Sequence, residues 1–343
     1  MRRLPPWWQP AATVLAVAAA VALILWSCTT PSGPGFPGSQ RVPDQPQSRG
    51  GGPSLREISS NAANEGEVAL QSSIPLTEDW RQRFESAFDL EFGLPLKVTL
   101  GGDAPDVVIA TDVDMALRFS HGELTGARWD ILFGAQRRAM MFDTGGLAIA
   151  QELLRPILGP GAPQVASSWD GLLDPRLKGR LGVASAMDPW ARLSLIWGQD
   201  KTQSFVDGLA KQQPIRGSEA DLARQLAQGS IDALAAGPDS AIRTFKDARI
   251  LDVDPAAVRS LVAAPVKSAK HPNAAVLFVG FLATQEGQTL WQQFSGQSSV
   301  FDAGSALSQY LQTRQYSLAE QSFLTKDGPG RMAGYAKLLG YGS

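Results

Sequence analysis

Polar side chains suited to hydrogen-bonding a small ligand follow most of the predicted strands, at the point where a strand ends or a helix begins. The set consists of Ser72, Ser73, Thr111, Asp112, Asp143, Asp188, Ser218 and Asp239. In open α/β sheets, ligands bind beyond the carboxyl ends of the strands, where helix N-termini present free N–H groups. Trp190, in the first turn of a predicted helix, adds a ring able to stack on a ring or a cation. These residues therefore predict a binding site at one edge of a sheet.

Each of these residues also has a purely structural interpretation. Asp188 precedes Pro189, a pattern typical of an N-cap followed by proline at the start of a helix. Asp112 and Asp239 are likewise suited to helix capping, and the serines and the threonine are typical of turns. Trp190 is equally consistent with packing in a core. The sequence alone leaves both interpretations open.

The chain is poorly supplied with the side chains of the usual enzyme chemistries. His121 and His271 are the only histidines, and Cys28 is the only cysteine. The sequence contains no Gly-rich phosphate loop of the Walker type and no G-x-S-x-G motif. We therefore expect no enzyme, no cofactor and no metal site. The balance of 31 Lys plus Arg against 33 Asp plus Glu gives no basic footprint for nucleic acid.

Alternating strands and helices must position the candidate residues. Apolar runs predict strands at 68–71, 96–100, 106–110, 139–142, 180–184 and 231–235. Helical apolar periodicity predicts helices at 76–88, 151–158, 188–197, 204–211, 219–227, 273–284 and 287–294. This alternation predicts an α/β fold. The length of 343 residues favours two lobes with flanking segments.

The N-terminus has the composition of a secretory signal. Two arginines precede an apolar run at 11–26, and the tetrapeptide Leu-Trp-Ser-Cys28 closes it. This tetrapeptide resembles a bacterial lipobox, which implies removal of residues 1–27 and lipidation of Cys28. An uncleaved membrane anchor and a plain signal peptide with a chance cysteine are the alternatives. Residues 28–66, rich in Pro, Gly, Ser and Gln, are typical of a flexible linker.

Three segments carry motifs in a fixed order along the rest of the chain. They are Gly-Asp-Ala-Pro-Asp-Val-Val-Ile at 102–109, Ser-Trp-Asp-Gly-Leu-Leu-Asp-Pro-Arg-Leu-Lys-Gly-Arg-Leu-Gly-Val at 168–183, and Ala-Lys-His-Pro-Asn-Ala-Ala-Val-Leu-Phe-Val-Gly-Phe-Leu-Ala-Thr-Gln-Glu-Gly-Gln at 269–288. Together they resemble the bacterial extracellular solute-binding proteins of the periplasmic type II fold, a class that includes iron, thiamine and polyamine binders. The resemblance extends from about Val68 to Tyr341.

The resemblance implies two α/β lobes joined by two crossing strands, with the ligand in the cleft between them. Lobe 1 would comprise residues 67–143 and 266–343, including the C-terminal helices, and lobe 2 residues 144–265. The crossings would fall near 141–144 and 262–268. Rotation about two such short segments would close the lobes on a ligand.

Two features depart from the family pattern. Family members usually have a helix between the second and third strands, whereas here only a few residues separate Leu100 from Asp106, so one cleft wall is expected to differ. Iron binders of the class use paired tyrosines in the second lobe. Residues 236–243 contain no tyrosine, and all four tyrosines lie at or after Tyr310. Tyrosine-ligated ferric iron is therefore not expected.

The resemblance implies a receptor that delivers a small molecule or ion to the membrane permease of an ABC-type importer. We expect a periplasmic monomer, held at the cell membrane by its lipid anchor and without a nucleic-acid partner. A ligand sensor of the same fold, coupled to a signalling partner, is the alternative, and a transferase or lyase on this fold is a third hypothesis. The acidic candidates favour a cationic ligand and the helix N-termini an anionic one, so the charge of the ligand stays open.

Overall fold

The computed structural model describes residues 52–142, 145–240 and 247–342. Its strands are β1 (Glu67–Ser72), β2 (Lys97–Leu100), β3 (Val107–Thr111), β4 (Met141–Phe142), β5 (Gly146–Leu158), β6 (Leu181–Ala184), β7 (Ile215–Gly217), β8 (Ala233–Pro238), β9 (Arg249–Ile250), β10 (Ala256–Pro265) and β11 (Tyr316–Ser317). Its α-helices are α1 (Leu55–Glu65), α2 (Glu78–Phe92), α3 (Asp112–Ser120), α4 (Trp129–Leu132), α5 (Asp188–Trp197), α6 (Gln199–Lys211), α7 (Glu219–Ala227), α8 (Pro272–Leu282), α9 (Gln285–Ser295), α10 (Ala306–Leu311) and α11 (Gly328–Leu338). The predicted signal peptide, Cys28 and Asp143 lie outside the described residues.

The strands form one mixed sheet with the order β2-β1-β3-β10-β5-β8-β6-β7 along its main path. At one end β1 is parallel to β2 and β3, and at the other end β6 is parallel to β7 and β8. Between them the long strands β5 and β10 are antiparallel to each other. The predicted alternation of strands and helices is confirmed.

A first hydrophobic core lies at the β1 end of the sheet. Trp80, Phe84 and Phe88 of α2 share one helix face, as their spacing predicts, and all three are buried. Phe84 packs against Phe278 of α8 with ring centroids 4.4 Å apart. This core fixes α2 and α8 on the sheet, and with them the ends of β1 and β3.

A second hydrophobic core lies at the β6 end. Trp169, Trp190 and Phe205 pack edge-on or tilted, with ring centroids about 6 Å apart. Tyr335 of α11 and Leu339 belong to the same core. The Tyr341 hydroxyl donates to the Val183 carbonyl over 2.5 Å and accepts from the Gly217 N–H over 2.8 Å. The last helix thus packs with elements of predicted lobe 2, although the sequence assigns it to lobe 1.

The helix predicted at 151–158 is wrong, because this segment is the second half of strand β5. Nearly every residue of β5 is buried, since β10 and β8 flank it on both sides. A continuous apolar run does not by itself distinguish a buried strand from a buried helix. Pro156 sits where the β5–β8 register shifts between Arg155 and Ile157, so its missing N–H costs no regular ladder bond.

The short connection between β2 and β3 is explained by an offset in register. Leu70 of β1 pairs with Leu100, the last residue of β2, and on its other side with Val107, the first residue of β3. Strand β2 therefore ends, and β3 begins, opposite the same residue of β1. The connection does not have to run back along the length of the sheet, so no helix is needed. The N–H of Gly101 bonds the Leu70 carbonyl, and the N–H of Asp106 bonds that of Ala69.

Asp106 joins this crossing to the start of α8. Its carboxylate, almost fully buried, accepts from the N–H groups of Ala69, Lys270 and His271 and contacts His271 Nδ1 at 2.8 Å. Burial alone would raise the pKa of Asp106, but these contacts outweigh burial and the pKa is lowered from its ordinary value. The same region carries two of the segments that resemble the family.

The predicted linker is helical at its C-terminal end. Residues 55–65 form α1, which a capping box between Ser54 and Glu57 starts. Ile58 and Ala62 of α1 enter the first core. Within the described ranges, no helix has the length and apolar character needed to cross a membrane.

Candidate ligand-binding cleft

A cavity of about 400 Å³ opens beside the two long central strands. It is lined by Ser73, Ile74, Thr111, Glu152, Glu219, Pro238, Ser240, Arg259, Ser260, Leu261, Phe294, Ser295 and Gln297. The ends of β1, β3 and β8 meet here. The cavity combines hydroxyl, carboxylate and guanidinium groups with a wall formed by Ile74, Leu261 and Phe294.

Arg259, on β10, lies at the centre of the polar wall. Its Nε and Nη2 donate to Asp188 over 3.0 and 3.1 Å, and Nη2 also donates to Glu219 over 2.8 Å. Its Nη1 lies 3.7 Å from Glu152 Oε2. Burial disfavours the charged guanidinium, but the carboxylates of Asp188 and Glu219 outweigh it and hold the pKa of Arg259 well above its ordinary value.

Glu152, on β5, faces Arg259 across the cavity wall. Its Oε1 accepts from the Ser240 hydroxyl over 2.5 Å and from the Gln297 amide over 3.1 Å. Burial raises the pKa of Glu152, against the opposing influence of Arg259 and of these hydrogen bonds. The buried carboxylate is held in place by partners from the segments that follow β8 and α9.

A second ion-pair system shares Asp188 with Arg259. Arg192 of α5 binds Asp112 through two hydrogen bonds of 2.5 and 3.0 Å and contacts Asp188 at 3.3 Å. Burial would raise the pKa of Asp188, but Arg259 and Arg192 outweigh burial and lower it. Asp188 is therefore the shared member that links the two arginines.

A neighbouring compartment of about 290 Å³ shares part of its wall with the cavity. Thr111, Glu219 and Arg259 line both compartments, whereas Asp114, Asp188 and Met332 line only the second. The Arg259–Glu219 ion pair thus stands at the boundary between them.

The structure brings some of the predicted residues to the cavity. Ser73 and Thr111 line it directly, and Asp188 lines the second compartment. Thr111 also caps α3, because its hydroxyl oxygen accepts from the Asp114 N–H. Ser72 turns away from the main cavity, and its Oγ accepts from the Ile74 N–H.

Other predicted residues lie elsewhere or are engaged by protein groups. Asp112 is completely buried against Arg192, and Asp239, next to the cavity-lining Ser240, pairs with Arg155 at 3.0 Å. Ser218 is exposed and caps α7. Trp190 is only 1% exposed, so its ring packs in the second core and faces no cavity. Neither Asp112 nor Asp188 is itself the N-cap, because Thr111 and Met187 hold those positions.

The sequence did not identify Glu152, Arg259, Gln297 and Phe294, which supply much of the cavity wall. The signal that could have revealed Arg259 is a single charge inside a largely apolar strand, and Glu152 is one of two charges, with Arg155, in the apolar strand β5. Burying such a charge is costly unless it is paired, so it indicates either a partner in another strand or a ligand.

The lining contains no tyrosine, histidine or cysteine. Tyr310 instead donates to Asp252 at 2.8 Å, and Tyr335 and Tyr341 are engaged in or beside the second core. Within residues 52–142, 145–240 and 247–342, no group of three or more His, Cys, Asp or Glu side chains is arranged to hold a metal ion.

Several solved structures of binding proteins have a similar architecture. The ferric iron-binding protein A of Mannheimia haemolytica, in an open conformation, superposes with a TM-score of 0.62 at 14% identity, covering 80% of this chain and 98% of that one. Iron-bound HitA of Pseudomonas aeruginosa gives 0.61 at 16% identity, covering 79% and 99%. AfuA of Actinobacillus pleuropneumoniae, with fructose-6-phosphate bound, gives 0.60 at 16% identity, covering 80% and 99%. The predicted fold class, the α/β type II periplasmic-binding-protein fold, is confirmed.

Comparison of the sequence with family profiles assigns the chain to a family. The profile of the bacterial extracellular solute-binding proteins matches residues 80–294. The chain therefore belongs to the bacterial extracellular solute-binding protein family, as the motifs at 102–109, 168–183 and 269–288 suggested. A comparison with curated proteins gave no match.

Proposed function

We propose that this protein is the extracytoplasmic receptor of an ABC-type importer. It binds a small solute in the cavity beside Arg259 and delivers it to the membrane permease as the cleft closes. One observation carries the proposal: the cavity is lined by the ends of β1 and β3 from one end of the sheet, by β8 and α7 from the other, and by both long central strands. A solute placed there contacts both predicted lobes.

Contact with both lobes is what closure requires. A ligand shifts a conformational equilibrium only by binding one state more tightly than the other. Ser73 and Thr111 approach the solute from predicted lobe 1, and Glu219 and Ser240 approach it from predicted lobe 2. A solute that bridges these groups favours the state in which they are close together.

The N-terminus supplies the membrane attachment in this proposal. Lipidated Cys28 would hold the protein at the cell membrane, and the linker up to α1 would let the binding unit reach the permease. An uncleaved apolar anchor would place the protein at the same surface. Metabolic labelling with an alkyne fatty acid distinguishes the two, because a Cys28→Ala variant loses the label only if Cys28 is the acylated residue.

Solute uptake by the bacterium that produces the protein tests the import function. We would delete the coding sequence and measure the uptake of radiolabelled spermidine, putrescine, ferric citrate, phosphate and fructose 6-phosphate. Import predicts that uptake of one solute is lost and that a wild-type copy restores it.

Unchanged uptake of every solute, together with loss of a solute-dependent transcriptional response, would instead establish the alternative function of a sensor. The short β2–β3 crossing motivates this alternative, since it alters one wall of the fold. The crossing leaves Ser73 and Thr111 at the cavity, however, so import remains our proposal.

A further inference from the structure

The helix N-termini at the cleft are already occupied by the protein's own carboxylates. Asp112, Asp188 and Glu219 are the first residues of α3, α5 and α7. Each carboxylate therefore lies where an anionic ligand would otherwise meet the positive end of a helix. The positive ends of these helices are therefore already balanced by residues of the chain itself.

The two arginines of the cleft are neutralised in the same way. Arg192 pairs with Asp112 and Asp188, and Arg259 pairs with Asp188 and Glu219 and lies near Glu152. Four carboxyl groups thus surround two guanidinium groups. The nearby pair of Arg155 and Asp239 adds no net charge. Carboxyl groups therefore outnumber guanidinium groups around the cleft.

Several polar atoms at the cavity have no protein partner. Ser260 is 5% exposed and lines the cavity, yet its hydroxyl makes no hydrogen bond to any described residue. Glu152 Oε2 and Glu219 Oε2 likewise accept no hydrogen bond from the described parts of the chain; the nearest charged group to the former is Arg259 at 3.7 Å. The Ser260 hydroxyl thus lines the cavity from a residue that is itself largely buried, and without a partner among the described residues it is free to bond a ligand there.

Apolar groups form the other side of the cavity. Phe294, half-buried against Trp80 and Trp291, lines it together with Ile74 and Leu261. A hydrated metal ion gains nothing from such a wall, whereas the carbon skeleton of an organic solute does. An aromatic ring at the wall also attracts a cation.

We propose that the solute is a small organic cation whose ammonium group binds between Glu152 and Glu219. This inference rests on the proposed receptor function and specifies the chemical class of its ligand. The ammonium N–H groups donate to the free carboxylate oxygens and to the Ser260 hydroxyl, and the carbon skeleton lies against Phe294. Arg259 stays paired with Asp188 and keeps the two glutamates in position.

Thermal melting and calorimetric titration of the full-length chain in mild detergent test the ligand class. The probes are spermidine and putrescine on one side, and phosphate, fructose 6-phosphate and ferric citrate on the other. We expect at least one of the amines to raise the melting temperature and to bind. We expect Glu219→Gln and Glu152→Gln each to weaken that binding by about tenfold or more, the usual range for a charged hydrogen bond.

The control is Glu91→Gln, which removes an exposed carboxylate of α2 that does not line the cavity and is expected to leave amine binding unchanged. Stabilisation by an anionic probe and by none of the amines overturns the inference about charge but leaves the receptor function intact. Amine binding that both glutamine variants retain in full overturns the proposed site. The receptor function itself is decided separately by the uptake experiment.

Discussion

Arg192 and Asp112 form a two-bond ion pair that connects α5 of the second core to the start of α3 at the other end of the sheet. The Arg192 side chain is 1% exposed and the Asp112 side chain is not exposed at all. Arg192 also donates to the Val258 carbonyl over 2.7 Å, and Asp112 accepts from the Ser260 N–H over 3.1 Å. Both residues are thus anchored to β10, the strand that passes between the two cores.

Breaking this ion pair on one side should destabilise the protein strongly. Arg192→Met leaves the buried Asp112 carboxylate without its charged partner, so we expect it to lose about 3–5 kcal/mol of unfolding free energy in urea. Asp112→Asn should lose less, because Arg192 still contacts Asp188. The double variant should lose less than the sum of the two, because neither charge then remains. Arg83→Met, which removes an exposed partner of Asp79, is the control and should barely change the unfolding free energy. Equal losses in the two buried variants and the control would contradict the buried pairing.

Trp190 offers a direct comparison between packing and ligand stacking. Because its ring lies in the second core, Trp190→Ala should cost about 3–5 kcal/mol of unfolding free energy. Trp190→Phe keeps most of the packing and should bind solute as the wild type does. A Phe variant that folds normally but loses solute binding would show that Trp190 reaches the ligand after all.

Acid should weaken the attachment of α8 to the sheet. The pKa of Asp106 is lowered in the folded protein, so its stabilising contribution is complete above the unfolded pKa and is lost as pH falls through the folded one. We therefore expect Asp106→Asn to reduce the unfolding free energy at neutral pH, and the difference from wild type to shrink as the pH is lowered. Asp89→Asn, on the exposed face of α2, serves as the control. A difference that stays constant across the acidic range would argue against this role.

Two glycine substitutions should have opposite effects. A Cβ at Gly287 would lie 2.1 Å from the Phe281 carbonyl oxygen, so Gly287→Ala forces the backbone between α8 and α9 to move and should cost about 1–3 kcal/mol or more. At Gly334, inside α11, a Cβ would meet no atom within 4 Å. Gly334→Ala should therefore stabilise the protein by about 0.5–1 kcal/mol, since alanine favours the helix. Urea unfolding of both variants checks the signs.

The parts of the site that the sequence predicted are those at strand ends. Ser73 and Thr111 could be found because a buried apolar run stops immediately before them, and strand ends converge in an open sheet. Glu152 and Arg259 could not be found in this way. They lie inside β5 and β10, and only the antiparallel pairing of these strands, in register at Glu152 and Arg259, makes the two charges neighbours.

The wrong prediction of a helix at 151–158 has a related cause. Local pattern cannot separate a strand buried between two neighbours from a buried helix, and the neighbours of β5 come from distant parts of the chain. Trp190 is a second case in which the local sequence did not predict the tertiary contacts. Its position at the start of a helix suggested access to the cleft, but the direction of its ring was decided by Trp169 and Phe205.

The register at Leu70 has a consequence for the order in which the sheet assembles. All three strands come from residues 67–111, and the β2–β3 connection is short because β2 ends and β3 begins opposite the same residue of β1. Strand β10 pairs with β3 only after a much longer stretch of chain has been brought back. Short-range pairings form faster than long-range ones, so we expect β1, β2 and β3 to gain protection from hydrogen exchange before β10 does. We expect β10 and β5 to add to the sheet formed by β1, β2 and β3. The cleft, which both central strands line, would then form last.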